Sequence, residues 1–557
     1  MIFGVARSGN NPTGVSKTCL VLAAILVVLS PGSVPAGQEA GKPTTLEELR
    51  QQRNKAAHRK RRIIYNNDGG DMTYFLRRCK KVTPEEFLAL YTSPVAGSQV
   101  DAIFYCTGLC FGIVRHETKV GDNLIRIGLE AGGLPRDKTE EFLDKKMDVL
   151  KMMADFCHGN NIEIFCSMRM NDTHDASNKL LFSTLKKNHP EYLNGSPQNR
   201  PKYGIWTAVN YARQEIRDFR VQLFQEVCEN YDLDGIEMDF FRHPVFFKSH
   251  AFGKPVSQAE RDMMTDMVRR IREMTEQVGL KRGHPILVAV RVPDSVGYCE
   301  AIGLDIVRWL EEDLVDILVP SGYFRLNPWE VSVELGHKYN VPVYPSLSDS
   351  RMRCNWPDKR EAAKIRNTPA CFRARAANAW AWGADGVYMY NFFDPRSPLW
   401  RELGDPKGLQ TMEKLYTTGA RGVWHIESGW CGLPGGKRFL NRLAFCPERP
   451  LRLVPGRAAT VELRVGQHVG KDEARGLVPE VRLRLRAKDL ANTDELAVKL
   501  NGRSLGGCTR SDAWLEYPVS PALVKKGMNR FEILLAPESA AKPVLQDLLL
   551  RVAYKND

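Results

Sequence analysis

Long apolar segments are almost absent from this sequence of 557 residues. The one sustained run, Cys19–Leu29, is too short to cross a bilayer as a helix, which needs about 20 apolar residues. Two basic residues, Arg7 and Lys17, precede this run, and the small-residue segment 34–36 follows it. This arrangement is typical of a secretory signal peptide. We therefore expect residues 1–36 to be cleaved off and the mature protein to be periplasmic or extracellular, with no membrane contact after cleavage.

Several motifs with well-defined chemistry are also missing. The chain contains no Gly-x-Gly-x-x-Gly motif, no phosphate-binding loop and no Gly-x-Ser-x-Gly elbow. Nucleotide-dependent and serine-hydrolase chemistry therefore have no support. The 13 cysteines are scattered and form no metal-ligand pattern. We expect no cofactor and no bound metal.

The composition is that of a globular protein with a basic excess: 43% of the residues are hydrophobic, 26% are charged, and the formal net charge is +13. Part of this excess lies in Arg50–Arg62. Nucleic acid is not an expected partner of an exported chain, whereas a sulfated or uronate-bearing polysaccharide would be attracted by such a segment. The alternative, which we favour, is that residues 37–62 are a solvated basic linker.

Between residue 63 and about residue 418, short β-rich runs alternate with segments of helical periodicity. This pattern predicts a parallel sheet with crossover helices, and eight repeats are the number that closes a (β/α)8 TIM barrel. We assign residues 63–420 to this barrel. Its loops 108–138 and 171–213 should border the substrate cleft. The predicted strands are Ile63–Asp68, Ala102–Thr107, Ile162–Met170, Gly235–Phe241, Ile286–Val292, Ile317–Tyr323, Val341–Leu347 and Gly386–Phe392.

Beyond the predicted barrel the pattern changes to alternating strands with glycine and proline turns. Residues 421–557 are therefore expected to form a separate all-β sandwich. Segments 498–502 and 524–529 resemble the jelly-roll accessory modules attached to many glycosidases. Such a module either binds sugar or braces the barrel, and bracing is favoured because no cluster of aromatic residues marks a binding face.

The most informative segment is Tyr231–Pro244, which contains the fourth predicted strand. Its apolar residues alternate with Glu237 and Asp239, so both carboxylates should point into the barrel. Two like charges in a narrow interior raise one pKa, which provides an acid and a base in one site. Asp239 lies nearer the mouth and is the first candidate for catalysis. The alternative is that both acids form a buried ionic network with Arg169 and Arg291.

The second catalytic carboxylate is not fixed by the sequence. Glu237 and Asp349 rank above Asp294 and Asp394, the last of which precedes a proline as a turn residue does. A glycan site also needs hydrogen-bonding groups and aromatic faces, and arginine forks would suit sulfate or carboxylate groups unless they neutralise the local acids. The predicted substrate-binding residues are Arg169, Asp172, His174, Trp206, Arg242, His243, Arg291, Asp294, Tyr323, Tyr388 and Tyr390.

The segment Asp172–Asp175 offers a second kind of chemistry. A divalent ion held there would indicate a metal-assisted polysaccharide deacetylase. No second cluster of histidines or cysteines has ligand spacing, so we prefer His174 as a sugar hydrogen-bonding or acid/base partner.

Two segments carry a family resemblance. Residues 210–217 (Asn-Tyr-Ala-Arg-Gln-Glu-Ile-Arg) and 231–239 (Tyr-Asp-Leu-Asp-Gly-Ile-Glu-Met-Asp) resemble the third-helix and fourth-strand signature of the glycosyl-hydrolase-like family 10 barrels. The resemblance implies a barrel that acts on glycans at the end of strand four. Two departures are present: the general acid of the related family 18 chitinases would fall at Phe241, and the seventh strand is followed by Asp349 instead of a glutamate.

These observations predict an exported glycosidase that cleaves a poly- or oligosaccharide by a two-carboxylate mechanism through an oxocarbenium-like transition state. The rival is a catalytically silent glycan-binding protein. Two facing carboxylates in a cleft would favour the enzyme, whereas acids bound by Arg169 and Arg291 below the mouth would favour the binding protein.

Overall fold

The computed structural model describes residues 41–322, 325–347, 359–418, 445, 447, 450–469, 476–490 and 492–555. The predicted signal peptide, Tyr323 and Asp349 lie outside the described residues.

The first part of the chain forms a mainly parallel sheet. Along the chain its strands are β1 (Ile63–Asn67), β2 (Val100–Gly108), β3 (Ile113–Val114), β4 (Asp122–Asn123), β5 (Glu163–Arg169), β6 (Gly235–Asp239), β7 (Leu287–Val292), β8 (Ile317–Pro320) and β9 (Val387–Met389). The long strands follow the order β9-β1-β2-β5-β6-β7-β8, and all of these neighbours are parallel. Strands β5, β6 and β7 are buried along their whole length, as expected for a sheet covered on both faces. Seven of the eight predicted strands are thereby confirmed.

The predicted seventh strand differs from the others. Segment 341–347 makes single parallel bridges instead of a ladder, one between Val343 and Leu318 and one between Ser346 and Tyr388. Backbone hydrogen bonds of 2.9–3.1 Å link it to β8 on one side and to β9 on the other. Pro342 and Pro345 have no backbone N–H to donate, which explains why the regular ladder is interrupted.

Helices occupy most connections between the strands, as expected for an α/β sheet. None of the helices in the described part of the chain combines the length and the apolar character needed to cross a membrane. They are α1 (Leu46–Ala57), α2 (Asp71–Arg78), α3 (Pro84–Tyr91), α4 (Leu124–Glu130), α5 (Arg136–Asp144), α6 (Val149–Gly159), α7 (Thr184–Asn188), α8 (Gln214–Asn230), α9 (Lys248–Ala251), α10 (Gln258–Arg282), α11 (Val296–Ile302), α12 (Ile306–Glu311), α13 (Trp329–Lys338), α14 (Lys359–Arg366) and α15 (Pro369–Ala381).

The region 37–62 is not the solvated linker that its charge suggests. Helix α1 begins with a capping box formed by Thr45 and Glu48, so the first backbone donors are satisfied. Its residue Arg53 is buried and donates to Glu276 of α10 at 3.2 Å. Arg61 is fully buried and donates to Glu163 at 2.9 Å. Because Arg53 and Arg61 are buried and paired with glutamates, their charges are not available to attract a polyanion.

The C-terminal part contains two antiparallel sheets. Along the chain the strands are β10 (Lys414–Thr417), β11 (Leu451–Arg452), β12 (Ala459–Val465), β13 (Val478–Lys488), β14 (Leu496–Leu500), β15 (Arg503–Leu505), β16 (Thr509–Ser511), β17 (Trp514–Val519), β18 (Gly527–Leu535) and β19 (Val544–Lys555). One sheet has six strands and the other has four, and buried residues of both form one hydrophobic cluster. Strand β10 begins before the predicted boundary at residue 420 and pairs with β19.

The C-terminal sheets are joined to the helices that precede β9 by buried polar contacts. Arg366 of α14 and Asp547 of β19 form two hydrogen bonds of 2.8 Å, and both side chains are fully buried. The indole of Trp514 donates to Glu361 of α14 at 3.1 Å. A Cβ atom on Gly466 would lie 2.4 Å from the carbonyl oxygen of Ala377, so this glycine permits the close approach of β12 and α15.

Candidate functional site

The predicted site residues of β6 lie between two arginine-bearing strands. Asp239 is in register with Arg169 of β5 and with Arg291 of β7. Glu237 contacts Tyr388, which belongs to β9 and not to a strand that neighbours β6. This contact joins two strands that are not adjacent in the sheet, as an inward orientation of Glu237 requires.

Both carboxylate oxygens of Asp239 accept hydrogen bonds. One carboxylate oxygen, Oδ2, accepts from Nη2 of Arg291. The other, Oδ1, accepts from the backbone amides of Phe241 and Arg242 at 3.0 and 3.2 Å. The buried guanidinium is thus a fixed positive charge beside a buried carboxylate. This carboxylate is rigidly held at the end of the strand.

Glu237 lies deeper and is held differently. It is fully buried, and its two oxygens accept from the hydroxyl of Ser167 at 2.5 Å and from that of Tyr388 at 2.8 Å. Burial raises the pKa of Glu237 to about 7, an effect that the charge of Arg291 opposes and that of Asp239 reinforces. The carboxyl group of Glu237 can therefore carry a proton where Asp239 is paired with a cation.

Arg169 does not bind either of these acids. Its guanidinium donates to Asp172 at 2.8 Å and also binds Asp68 at the end of β1. Burial alone would raise the pKa of Asp68, but Arg169 and then Arg242 lower it below the usual range. Of the expected network with Arg169 and Arg291, the structure has the pair of Arg291 with Asp239, whereas Arg169 binds two other aspartates and Glu237 is held by two hydroxyl groups.

Asp68 is a site residue that the sequence reasoning missed. It follows the first strand in the polar run Asn66-Asn67-Asp68, at the same edge of the sheet as Asp239. Polar residues that follow a predicted parallel strand could have indicated it.

Arg242 and Tyr390 connect the two halves of the network. Arg242 donates to the hydroxyl of Tyr390 and lies 3.6 Å from Asp68. The guanidinium of Arg291 lies over the ring of Tyr390, 3.9 Å from the ring centroid, in a cation–π contact. Tyr388 and Tyr390 are both buried and contact Glu237, Arg242 and Arg291, so they meet protein groups where contact with a sugar was expected.

His174 and His243 lie at the same edge around Asp172. Asp172 is completely buried, and its Oδ1 accepts from Nδ1 of His174 at 2.6 Å. His243 adopts a left-handed backbone conformation with φ +54°, and its Nδ1 accepts from the amide of Thr173 at 3.2 Å. Burial lowers the pKa of His243 to about 3. His174, in contrast, has 44% of its side chain exposed.

The same three side chains are the only group of potential metal-binding residues among the described residues. Their ligand atoms lie within 4.8 Å of one another. Asp172, however, already pairs with Arg169 and lies 3.9 Å from Nε of Arg242. Two guanidinium groups beside the shared carboxylate oppose a divalent cation, so we assign none to this cluster.

Two further candidate acids have structural partners. Asp294 is buried and accepts from the amides of Leu326 and Asn327 at 2.7–3.0 Å, which ties the loop after β8 to the end of β7. Burial raises its pKa to about 6. Asp394 is exposed and accepts from the amide of Arg396 at 3.1 Å, as a turn residue does.

The remaining predicted residues give a mixed result. Trp206 is half-buried in the loop before α8 and packs on Phe182, with ring centroids 5.8 Å apart. Tyr323 and Asp349 lie outside the described residues. Phe393, which was not predicted, follows β9 with 50% exposure and is the most accessible aromatic side chain near the end of that strand in the described part of the chain.

Several buried polar atoms at this edge have no hydrogen-bond partner among the described residues. They include Nε and Nη1 of Arg291, both amide atoms of Asn391 and the hydroxyl of Ser346. Buried polar groups are normally hydrogen-bonded. These atoms are therefore candidates for contact with a polar ligand or ordered water.

No family model matches the chain. A curated relative, the glycosyl hydrolase YngK of Bacillus subtilis (strain 168), is 23% identical over 235 residues, which cover 37% of this chain and 42% of the relative. The chain is thus similar to less than half of that protein.

Solved structures give weaker comparisons. The PgaB (BpsB) glycoside hydrolase domain of Bordetella bronchiseptica is 10% identical, with coverage of 62% of this chain and 98% of that domain and a TM-score of 0.38. An Anoxybacillus α-amylase is 11% identical, with coverage of 90% and 99% and a TM-score of 0.34. TM-scores this low carry no argument about this chain.

Proposed function

We propose that this protein hydrolyses glycosidic bonds of a poly- or oligosaccharide. The observation that carries the proposal is the pair Glu237 and Asp239, two inward carboxylates of one strand with opposite environments. Asp239 is paired with Arg291, whereas burial raises the pKa of Glu237 to about 7. A carboxyl group with a raised pKa next to an ion-paired carboxylate is an arrangement that can provide the acid and the second carboxylate of a glycosidase. The similarity of part of the chain to a glycosyl hydrolase supports this proposal.

Asp239 would act as the nucleophile or as the anion that stabilises an oxocarbenium-like transition state. Its ion pair with Arg291 holds the carboxylate in a fixed position for that role. Glu237 is one candidate partner and Asp349, outside the described residues, is the other. Glu237 has no exposed surface, so a direct role would require access through the end of the strand.

The site would lie at the mouth of a closed (β/α)8 barrel. The two bridges of segment 341–347 support this architecture because they connect β8 with β9 and so complete the circuit of strands. The shared core of the two C-terminal sheets supports a jelly-roll-like β-sandwich, and the buried pair Arg366–Asp547 favours bracing over sugar binding as its role.

The charges of the mouth favour a neutral glycan over a sulfated or uronate-bearing one. Arg169, Arg242 and Arg291 each lie within 4 Å of an aspartate carboxylate, so their charge is largely neutralised. Metal-assisted deacetylation is the weaker alternative because Asp172 is paired with Arg169. We also propose that residues 1–36 direct export, which N-terminal sequencing of the secreted protein would test.

A second candidate is a silent glycan-binding protein. One specific observation favours it: both oxygens of Asp239 are engaged, one by Arg291 and the other by two backbone amides. A carboxylate bound in this way could serve only the fold.

Reducing-sugar release from neutral, uronate and sulfated polysaccharides would decide between the candidates. The parent should release sugar, and Asp239→Asn should release none. The matched control is Asp547→Asn on β19, which breaks another buried arginine–aspartate pair. This variant should have the same activity per folded molecule as the parent. Binding without release by both the parent and Asp239→Asn would establish the silent binding protein, and acetate release would establish the deacetylase.

A further inference from the structure

His174 and Asp172 form a hydrogen-bonded pair whose partners differ sharply in exposure. Asp172 is completely buried, whereas 44% of the His174 side chain is exposed. Both lie just after β5, at the edge of the sheet where Asp239 ends β6. The pair thus places an accessible imidazole beside the candidate site and fixes it to a buried anion.

Asp172 fixes both the imidazole ring and the backbone of His174. Oδ1 of Asp172 accepts from Nδ1 of His174 at 2.6 Å and from the backbone amide of the same residue at 2.9 Å. The carbonyl oxygen of His174 in turn accepts from the hydroxyl of Ser177 at 3.0 Å. Both ring position and backbone position are therefore set by short local contacts, as needed for a group that transfers a proton.

The contact with Asp172 also decides which ring nitrogen is available. A carboxylate accepts, so Nδ1 of His174 carries hydrogen and Nε2 is left as the acceptor in the neutral ring. Nε2 has no hydrogen-bond partner among the described residues: Nδ1 binds Asp172, and the ring packs edge-to-face with that of His243. This is the arrangement in which a carboxylate orients a histidine for acid/base chemistry.

The charges around the pair keep Asp172 ionised. Burial opposes ionisation, but Arg169, His243 and His174 hold the pKa of Asp172 well below its usual range. Arg242 lies 3.9 Å away, and the thiol of Cys110 donates to Oδ1 at 3.5 Å. The neighbouring acid Asp175 is neutralised by Lys186, and the ring of His243 lies 5.1 Å from that of His174.

We propose that His174 is a proton-transfer residue of this site and that Asp172 is its positioning residue. The proposal rests on the glycosidase function proposed above. In the first step the imidazolium gives its Nε2 proton to the glycosidic oxygen as the bond from that oxygen to the anomeric carbon breaks and the Asp239 carboxylate bonds the carbon. In the second step water attacks the anomeric carbon, Asp239 leaves, and Nε2 takes the proton of the water. One water molecule is consumed, and both residues return to their starting states.

Leaving-group dependence tests the role of His174 in the full-length protein. The substrates are the polysaccharide that the parent cleaves and the phenyl and 4-nitrophenyl glycosides of the sugar that it releases. His174→Gln should lose about 10²- to 10⁴-fold in kcat/KM on the polysaccharide and the phenyl glycoside. It should lose little on the 4-nitrophenyl glycoside, because that leaving group departs without a proton.

Asp172→Asn and a matched histidine variant complete the experiment. Asp172→Asn should change the pH profile of kcat/KM on the phenyl glycoside more than it changes the rate on the 4-nitrophenyl glycoside. His337→Gln is the control. His337, on α13, has the same 44% exposure, and its Nε2 lies 2.9 Å from Asp385. This variant should match the parent on every substrate.

The possible failures are distinguishable. An active parent with His174→Gln unchanged, or with equal losses on both aryl glycosides, overturns the role of His174 and leaves the glycosidase intact. A parent that cleaves no glycan overturns the proposed function and this role together. Nitrogen-15 NMR of the imidazole checks the geometry without activity: hydrogen on Nδ1 is expected, and hydrogen on Nε2 alone in the neutral ring overturns the pair.

Discussion

Two buried arginine–aspartate pairs in this protein are built differently. Where the C-terminal sheets meet α14, Arg366 and Asp547 form two parallel hydrogen bonds that engage both carboxylate oxygens. At the end of β6, Arg291 uses one nitrogen for Asp239, and its Nε and Nη1 have no hydrogen-bond partner among the described residues. The first pair links α14 to β19 through two hydrogen bonds. The second leaves two guanidinium nitrogens of Arg291 as candidate donors to a bound ligand.

The largest effect is expected on stability, from breaking the Arg366–Asp547 pair. Arg366→Met leaves the carboxylate of Asp547 buried without its cation and should lower the free energy of unfolding by about 3 to 5 kcal/mol. Urea unfolding measures this loss. The control is Arg373→Met on α15, which breaks a partly exposed pair with Glu402 and should cost less stability. A larger loss for Arg373→Met would contradict the assigned role of the Arg366–Asp547 pair.

The pair at β6 should respond to the same substitution in activity. Arg291→Met removes the cation that is paired with Asp239, so kcat/KM for glycan cleavage should fall about 10²-fold or more. Its cost in stability should be smaller than that of Arg366→Met, since Asp239 keeps two backbone amides as donors. Kinetics on both variants, corrected for the folded fraction, test the comparison. Equal kcat/KM losses in the two variants would show that the Arg291–Asp239 pair has no special role in catalysis compared with the Arg366–Asp547 pair.

The carboxyl group next to this pair should make stability depend on pH. The pKa of Glu237 is raised from 4.5 to about 7 in the folded state, so the folded protein holds a proton that the unfolded chain has released. Its contribution to stability is therefore full below about pH 4.5 and is lost as the pH rises through 7.

Glu237→Gln isolates that effect. The glutamine cannot ionise, so the parent should lose roughly 3 kcal/mol relative to this variant between pH 4.5 and pH 8. Asp294 has a raised pKa too, but it is present in both proteins and cancels in the difference. Unfolding curves measured across this pH range provide the test. Parallel pH dependences in the two proteins would show that Glu237 is not the source.

The sequence pattern predicted the parts of the fold that local residues determine. Seven strands were found because each is a short apolar run bounded by turns, and the orientation of Glu237 and Asp239 followed from alternation along one strand. Segment 341–347 did not form a regular strand because its two prolines interrupt the ladder. That effect could have been read from the sequence.

Other features depend on partners that are distant along the chain. Helix α1 looked like a solvated basic linker because Glu276, which accepts from Arg53, lies 223 residues away. Asp68 was missed for the same reason, since its partner Arg169 lies 101 residues away. Single-residue patterns show where a charge is, but the ion pairs that decide its role are formed by the tertiary fold.

The smallest effect concerns the exposed edge of the site. Phe393 presents half of its surface to solvent after β9, whereas the preceding Phe392 packs on Phe372 and Trp400. An aromatic face in this position can stack on a sugar ring, so Phe393→Ala should raise KM about threefold to tenfold, the equivalent of roughly 1 kcal/mol, with kcat nearly unchanged. Val478→Ala, which shortens an equally exposed apolar side chain on the C-terminal sheet, should leave KM as it is. A fall in kcat without a change in KM would place Phe393 in the chemical step instead and would extend the reacting region from Asp239 to the loop after β9.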